Sequence, residues 1–97
     1  MVIFSYSTLR DFILRHPDAD EALDTWATTM KENRFKNIHE IKQFFNSVDA
    51  IGDDLFVFNI RGNKYRLIAR IHFPVRTLYI RFLGTHKQYD KVDIRSL

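Results

Sequence analysis

The segment that follows the last predicted strand carries the side chains best suited to chemistry. It reads Gly84-Thr85-His86-Lys87-Gln88-Tyr89-Asp90, in which Gly84 is predicted to end the strand and Thr85 to cap a short turn or helix. A histidine titrates near neutral pH, so His86 can accept or donate a proton. Tyr89 can donate a hydrogen bond or stack on a nucleobase. Proton transfer beside an aromatic ring would suit chemistry on a nucleic acid, although a single His near a Tyr is also common for purely structural reasons.

Other kinds of reactive centre have no support in the residue types present. The chain has no cysteine, which excludes a disulfide framework, a thiolate nucleophile and a cysteine zinc site. His16, His39 and His72 do not pair with one another or with His86 at the spacing of metal ligands. There is also no glycine-rich phosphate loop and no serine nucleophile motif. We therefore expect no metal and no cofactor, and a metal-dependent nuclease is disfavoured.

Charge is distributed unevenly along the chain. Residues 1–54 hold six Lys/Arg and ten Asp/Glu, a net charge of −4, whereas residues 55–97 hold nine and two, a net charge of +7. No Asp or Glu occurs between Leu55 and Tyr89. A basic half on a nearly neutral chain is typical of a protein with one surface for a polyanion. Nucleic acid is therefore the leading class of partner.

Length and hydropathy limit the architecture. A chain of 97 residues, with 45% hydrophobic and 28% charged residues, fits one globular domain over residues 1–97. The longest apolar stretches, such as Leu55–Phe58, are far too short to span a membrane, and no signal-peptide pattern follows Met1. We expect a cytoplasmic protein with no membrane partner.

The N-terminal half has the patterns of helices. Apolar residues recur at helical spacing after the first few residues, and Pro17 interrupts this first helix. Asp18, followed three residues later by Glu21, resembles a helix cap and predicts a second helix through about Met30. A third short helix is predicted to start at Asn37. These helices must cover whatever sheet the rest of the chain forms.

The C-terminal half has the patterns of strands. Its apolar residues alternate, and β-branched and aromatic residues dominate, in the runs Leu55–Arg61, Lys64–Phe73 and Thr77–Leu83. Gly62-Asn63 and Pro74-Val75-Arg76 join these runs by short turns, which make neighbouring strands antiparallel. The predicted fold class is α+β, with N-terminal helices packed on one face of a small antiparallel sheet.

Alternation assigns the strand residues to two faces. Leu67 and Ala69 of the middle strand, and Phe82 of the last, are predicted on an apolar face under the helices. Leu83 is predicted on the opposite face. That face would collect bases and one aromatic ring, namely Arg61, Arg66, Arg70, Arg81 and Tyr79. Such a surface is typical of RNA binding, but the residues alone leave open an ordinary solvated face of an antiparallel sheet.

Three stretches of this sequence resemble the HigB family of type II toxin-antitoxin toxins. They are Phe58-Asn59-Ile60-Arg61-Gly62-Asn63-Lys64-Tyr65-Arg66-Leu67, the segment Gly84 to Asp90, and Ser7-Thr8-Leu9-Arg10-Asp11-Phe12 with His16-Pro17. The resemblance extends over nearly the whole chain. It implies a RelE-like fold, an antiparallel sheet with N-terminal helices, and an endoribonuclease that cleaves mRNA, commonly on the translating ribosome.

The resemblance also implies roles for particular residues. Arg66 corresponds to a strand arginine near the scissile phosphate, and His86 and Tyr89 belong to the C-terminal catalytic segment. We assign Arg81 to support Arg66. The residues assigned to RNA contact are Arg61, Asn63, Lys64, Arg70, Tyr79 and Lys87. The implied reaction is metal-independent, with the substrate's 2′-hydroxyl attacking the adjacent phosphate. Some RelE-like proteins have arginine near the position of His86, which leaves open whether His86 is a general acid or a phosphate ligand.

The family resemblance implies partners and leaves two alternatives. Beyond mRNA and the ribosome, a toxin of this kind requires a cognate antitoxin, usually a helix-turn-helix protein. One alternative is a ParE-like toxin, which binds a protein target such as gyrase and cuts no RNA. The other is an RNA-binding domain without catalysis, which would use the basic face alone.

Overall fold

The computed structural model describes residues 1–97, and it has helices packed against a five-stranded sheet. The strands are β1 Val2–Phe4, β2 Asp49–Gly52, β3 Leu55–Ile60, β4 Tyr65–His72 and β5 Thr77–Thr85. The helices are α1 Tyr6–Arg15, α2 Asp20–Glu32, α3 Ile38–Lys42 and α4 His86–Asp90. No helix is both long enough and apolar enough to cross a membrane. The α+β class is confirmed.

The sheet is mixed, and two of its strands were not predicted. Its order is β1-β5-β4-β3-β2, with β1 parallel to β5 and every other pair antiparallel. Strands β1 and β2 are three and four residues long, too short for an alternating pattern to appear. Long-range contacts hold β1 in place, because the Val2 amide donates to the Arg76 carbonyl at 2.8 Å and the Met1 ammonium donates to the Met30 carbonyl at 2.9 Å.

The helices agree with the prediction except at one cap. Helix α1 ends just before Pro17, and α3 begins after Asn37, whose side chain accepts from the Glu40 amide at 3.1 Å. The predicted Asp18 cap is wrong. Ala19 occupies the N-cap position of α2 and makes no side-chain cap bond. The Asp18 carboxylate turns away from the helix toward the β3–β4 hairpin, where it accepts hydrogen bonds from Arg61 and Tyr65.

The β3–β4 hairpin also turns slightly earlier than predicted. Its loop spans Arg61 to Lys64, and the Lys64 amide donates to the Arg61 carbonyl at 3.2 Å. Positive φ angles occur at Arg61 (54°) and Gly62 (65°), whereas Gly62 and Asn63 were the predicted pair. The second turn follows the prediction, because Pro74 lies in a 3₁₀ turn, Phe73–Val75, that leads into β5.

The main core lies between the helices and one face of the sheet. Strand β4 contributes Leu67 and Ala69, both fully buried, as alternation predicts. Trp26 of α2 meets Phe58 of β3 edge to face, with ring centroids 5.5 Å apart. The remaining strand residues of this cluster that were predicted on the apolar face are Phe56, Ile60, Tyr65, Ile71, Leu78 and Ile80.

A β-bulge reverses the predicted faces at the end of β5. Ile68 pairs with Phe82, but the next residue, Ala69, pairs with Ile80, so Arg81 is the extra residue. Beyond this point the alternation shifts by one position. Phe82 therefore lies on the face opposite the helices, and Leu83 packs against the main core. Both predicted assignments are wrong, because alternation in a sequence cannot reveal an unpaired residue.

The face opposite the helices is not an open basic surface throughout. Leu55, Val57 and Ile68 form a second buried cluster there. Val92 and Leu97, from the segment after α4, pack against it. The C-terminal segment thus covers the β3 side of this face, whereas on β5 Tyr79 is half-buried and Arg81 is exposed.

Candidate active site

Arg66 stands opposite a glycine in the sheet. It is the second residue of β4, and its partner on β5 is Gly84. Gly84 is buried within β5, which runs to Thr85. The prediction that the strand ends before this glycine is therefore wrong. A Cβ on Gly84 would lie 2.6 Å from Gln88 Oε1 and 2.8 Å from Phe82 Cζ. The missing side chain therefore lets α4 pack close to the strand ends.

Helix α4 begins with a complete capping box. The Thr85 hydroxyl accepts from the Gln88 amide at 3.2 Å, and the Gln88 side chain accepts from the Thr85 amide at 2.8 Å. These reciprocal bonds satisfy two backbone donors at the start of the helix. They also fix the direction in which the first helical residue, His86, leaves the strand. The capping threonine was predicted, and the structure confirms it.

Arg66 and His86 are joined by a hydrogen bond. Arg66 Nη2 lies 3.2 Å from His86 Nε2 and also 3.2 Å from Asn63 Oδ1. A guanidinium can only donate, so His86 Nε2 must accept. The imidazole in this arrangement is therefore neutral, with its proton on Nδ1. This bond brings the C-terminal segment against one arginine of the sheet, Arg66.

Asp90 faces the other ring nitrogen of His86. Its Oδ2 lies 3.4 Å from His86 Nδ1, one helical turn along α4. This carboxylate favours the tautomer that carries the proton on Nδ1, in agreement with the bond from Arg66 to Nε2. Asp90 was not predicted as a site residue. The signal available in the sequence was its position four residues after His86, which places both on one face of a helix.

The Tyr89 ring packs against the Arg66 guanidinium. The Arg66 Cζ lies 4.9 Å from the centroid of the Tyr89 ring, and that ring packs against Phe82 at 6.3 Å. Arg66 Nε is buried without a hydrogen-bond partner. The His86 side chain remains 44% exposed. Together, Arg66, His86, Tyr89 and Asn63 form one contiguous, partly exposed group centred on the Arg66 guanidinium.

A second set of basic residues lies at the tip of the same hairpin and is paired with a carboxylate. The Asp18 carboxylate accepts from Arg61 Nη1 at 2.6 Å, from Lys64 Nζ, and from the Tyr65 hydroxyl at 2.6 Å. The Arg61 and Lys64 side chains are 50% and 54% exposed. We call these four residues the Asp18 cluster. It ties the start of α2 to the hairpin.

The Asp18 cluster shifts the pKa values of its members. The hydrogen bonds from Lys64 and then Tyr65 lower the pKa of Asp18 to about 2. The bond to Asp18 raises the pKa of Lys64 and, in the same way, that of the Tyr65 hydroxyl. Each shift favours the protonation states that the cluster needs, an ionised carboxylate with protonated donors. The cluster is thus charged and paired across the neutral pH range.

Arg70 is held by internal partners. Its Nη1 donates to the Asp53 carbonyl at 2.6 Å and lies 3.1 Å from the Asp53 carboxylate, and its Nη2 donates to the Leu97 carbonyl at 2.8 Å. Only 16% of the side chain is exposed. Arg70 therefore links the β2–β3 turn at Asp53 to the C-terminal Leu97. It does not join the Arg66–His86 group.

Tyr79 and Arg81 lie farther along β5. The Arg81 guanidinium carbon is 5.3 Å from the centroid of the Tyr79 ring, and Arg81 itself is the exposed bulge residue. Neither residue hydrogen-bonds to Arg66 or His86. Lys87 is exposed on α4, beside His86. The structure therefore divides the predicted site residues into several sets. They are the Arg66–His86 group with Lys87 beside it, the Asp18 cluster, Arg70, and the Tyr79–Arg81 pair on β5. No group of three His, Cys, Asp or Glu side chains is placed to hold a metal ion.

Comparison with known proteins identifies relatives over most of the chain. Residues 19–92 match the family model for HigB_toxin, described as the RelE-like toxic component of a toxin-antitoxin system. A protein of Escherichia coli K12 named mRNA interferase toxin HigB is 32% identical over 92 residues, which cover 93% of this chain and 88% of that protein. The mRNA interferase HigB of Shigella flexneri has the same identity and coverage. A further mRNA interferase HigB, from Escherichia coli O6:H1, is 26% identical over 94 residues.

The matched residues include both the β3–β4 hairpin and the α4 segment, so the similarity extends over the whole Arg66–His86 group. Together with the helix-covered sheet, these matches show that the chain belongs to the HigB toxin family, the RelE-like toxic components of toxin-antitoxin systems.

Proposed function

We propose that this toxin is an endoribonuclease that cleaves mRNA on translating ribosomes in the cytoplasm, as the name mRNA interferase suggests for its relatives. The observation that carries the proposal is the hydrogen bond from Arg66 to His86 Nε2 at 3.2 Å. It sets a permanent cation beside a neutral imidazole in a half-open site. Attack by the substrate's 2′-hydroxyl needs a group that accepts the hydroxyl proton and a cation that stabilises the negative charge developing on the phosphate oxygens, and this pair meets both needs.

His86 is assigned as the general base. Its Nε2 carries the ring's lone pair, because the Arg66 guanidinium donates to it and Asp90 faces Nδ1. When RNA binds, Arg66 turns from Nε2 to the phosphate, which frees this lone pair for the substrate. In the proposed step, Nε2 takes the proton of the substrate's 2′-hydroxyl, and the 2′-oxygen forms a bond to phosphorus. The bond from phosphorus to the 5′-oxygen breaks, leaving a 2′,3′-cyclic phosphate. The proposal thereby chooses proton transfer over a role as phosphate ligand.

Arg66 and Tyr89 complete the proposed chemistry. Once RNA is bound, the Arg66 fork can bind two phosphate oxygens and stabilise the extra negative charge at phosphorus. The Tyr89 ring packs against the guanidinium, and we assign the proton of its hydroxyl to the departing 5′-oxygen. Arg81 contacts Tyr79 instead of Arg66, so we assign it, with Lys87 and Asn63, to binding the RNA strand.

The test combines ribosome dependence with the chemistry of the product. Purified toxin is incubated with one mRNA, free and on programmed ribosomes, and the new ends are mapped. We expect cleavage on ribosomes and 2′,3′-cyclic phosphate ends. An mRNA with a 2′-O-methyl group at the cleaved nucleotide has no nucleophile and should stay intact. RNA binding without cleavage would favour the non-catalytic RNA-binding alternative.

A toxin of this family has an antitoxin partner, and we propose that it is a helix-turn-helix protein. The alternative of a ParE-like protein-binding toxin predicts growth arrest with intact mRNA. Expression of the wild-type chain and of His86→Ala separates the two. A nuclease loses toxicity with the imidazole, whereas a protein-binding toxin keeps it. Toxicity that survives His86→Ala with no mRNA cleavage would reject the nuclease proposal.

A further inference from the structure

A partly exposed aromatic pair lies on strands β1 and β5, away from the Arg66–His86 group. Phe4 of β1 stacks on Tyr79 of β5, with ring centroids 5.0 Å apart and planes 16° from parallel. Phe4 is 48% exposed. The two residues are brought together by the parallel pairing of β1 with β5, in which Phe4 is directly opposite Tyr79. Because β1 was not predicted, neither was this pair.

The surroundings of this pair are basic and aromatic. Arg81 lies over the Tyr79 ring at 5.3 Å, and His72 meets the same ring edge to face at 6.0 Å. No acidic residue occurs in the sequence from Leu55 to Tyr89 that forms this part of the surface. An aromatic stack beside a free guanidinium matches the two parts of a nucleotide, a flat base and a phosphate.

The position of Phe4 leaves room for a third ring. Strand β1 is at the edge of the sheet, so Phe4 has Tyr79 on one side and no strand on the other. A nucleobase could therefore extend the stack from the outer side of Phe4. An exposed aromatic pair of this kind has no role in the core, since the buried side of β1 is supplied by Ile3.

We propose that Phe4, Tyr79 and Arg81 form a second RNA subsite, which stacks one base and holds a phosphate several nucleotides away from the cleaved bond. The subsite rests on the proposed function. Along β5, Tyr79 and Thr85 are about 20 Å apart, at about 3.3 Å per residue. Arg81 lies between the stack and α4, so a single RNA strand along β5 would pass the phosphate ligand before it reaches His86. A length of extended RNA joins the two sites.

The test measures binding of a single-stranded RNA whose 2′-hydroxyls are methylated, so that it cannot be cleaved, by fluorescence anisotropy. Base stacking on one aromatic residue is strong enough that Phe4→Ala should weaken binding by roughly tenfold. Tyr6→Ala is the matched control, because Tyr6 is also a partly exposed aromatic residue with a cation over its ring, Lys31 at 4.5 Å, but it lies on α1. The control should bind like the wild type, and thermal unfolding should show that both variants are folded.

A series of RNAs with one abasic nucleotide makes the test specific. The abasic position is moved stepwise along the strand. At one position, several nucleotides from the cleaved one, the wild type should lose about as much affinity as Phe4→Ala loses with intact RNA. Phe4→Ala should lose little more at that position, because the stacked base is already missing.

The outcomes separate the subsite from the nuclease. Equal affinity of Phe4→Ala and wild type overturns the subsite, even if the patch then binds the antitoxin instead. Failure of the wild type to bind this RNA also overturns it, because stacking needs no ribosome. Neither result touches the proposed function as long as the same preparation cleaves mRNA on ribosomes. Loss of that cleavage would reject the proposed function by itself.

Discussion

Two basic groups lie at the same end of the β3–β4 hairpin and differ in what they face. Arg61 and Lys64 share the carboxylate of Asp18, whereas Arg66 donates to an amide oxygen and a neutral imidazole. In the first group, one carboxylate offsets one of the two positive charges and holds both side chains. The other keeps an unneutralised guanidinium in a half-open site.

The difference shows that the number of basic residues does not measure the charge available to a ligand. The +7 of residues 55–97 counts Arg61, Lys64 and Arg66 alike. In the structure, Asp18 from the N-terminal half pairs with both Arg61 and Lys64. Asp53, also from that half, pairs with Arg70. Arg66 is left as the strand arginine beside His86, which is why we assign the chemistry to it. The predictions below test this contrast.

The largest effect is expected at His86. His86→Ala should reduce mRNA cleavage by about 10²- to 10⁴-fold, the usual contribution of a general acid or base. The side chain is 44% exposed, so the unfolding temperature should change little. Rates are measured under single-turnover conditions on programmed ribosomes. A loss below threefold would remove His86 from the chemistry.

Arg66→Lys should have the next largest effect, on the order of 10²-fold in the cleavage rate. Lysine keeps the charge but loses the planar fork, the bond to His86 Nε2 and the contact with the Tyr89 ring. Arg61→Lys is the matched control in the Asp18 cluster, and its rate should stay close to that of the wild type. If the two variants behave alike, the two basic groups do not differ as we infer.

Asp18→Asn should make Arg61 and Lys64 more available to RNA. Without the carboxylate, Arg61 and Lys64 can each reach a phosphate, and each new contact steepens the slope of log affinity against log salt by about 0.7 on single strands. RNA affinity is measured as a function of salt with the uncleavable RNA. Asp24→Asn, which removes a carboxylate of α2 outside the cluster, controls for net charge. An identical slope in both variants would contradict the shielding.

The smallest effect concerns stability at acid pH. The pKa of Asp18 is lowered to about 2 by its hydrogen bonds, so its stabilisation is present above the unfolded pKa, about 3.9, and is lost as pH falls toward 2. Thermal unfolding of the wild type and Asp18→Asn is compared between pH 2 and 7. The wild type should be the more stable near pH 6, and the difference should shrink below about pH 4. A pH-independent difference would mean that the carboxylate charge is not what stabilises the hairpin.

Local patterns predicted most of the fold. The periodicity of the helices, the proline after α1, the Asn37 and Thr85 caps and the faces of β4 all follow from neighbours within a few residues, and the structure agrees with them. The errors occur where distant residues decide. Asp18 leaves its expected cap because three donors of a distant hairpin offer better partners, and the bulge at Arg81 appears only when β5 is paired with β4.

The candidate site divides in the same way. Residue types and spacing within the Gly84–Asp90 segment were enough to select His86 and Tyr89, since a capped turn after a strand presents its first residues to one surface. Only the folded chain places Arg66 against His86, because the two residues lie on different elements. Gly84 contributes by leaving room for Gln88 of α4 beside the strand. The tautomer of His86 also depends on the folded chain, because Arg66 donates to Nε2 on one side of the ring and Asp90 faces Nδ1 on the other.

The sequence by itself determined the fold class, the family resemblance and the kinds of side chain available for chemistry, because these depend on composition and on order along the chain. Tertiary structure decided which of the basic residues are free. Electrostatic pairing falls off with distance in space and takes no account of separation along the chain. Asp18 and Lys64 are 46 positions apart and share a hydrogen bond, and this contact could be read only from the folded protein.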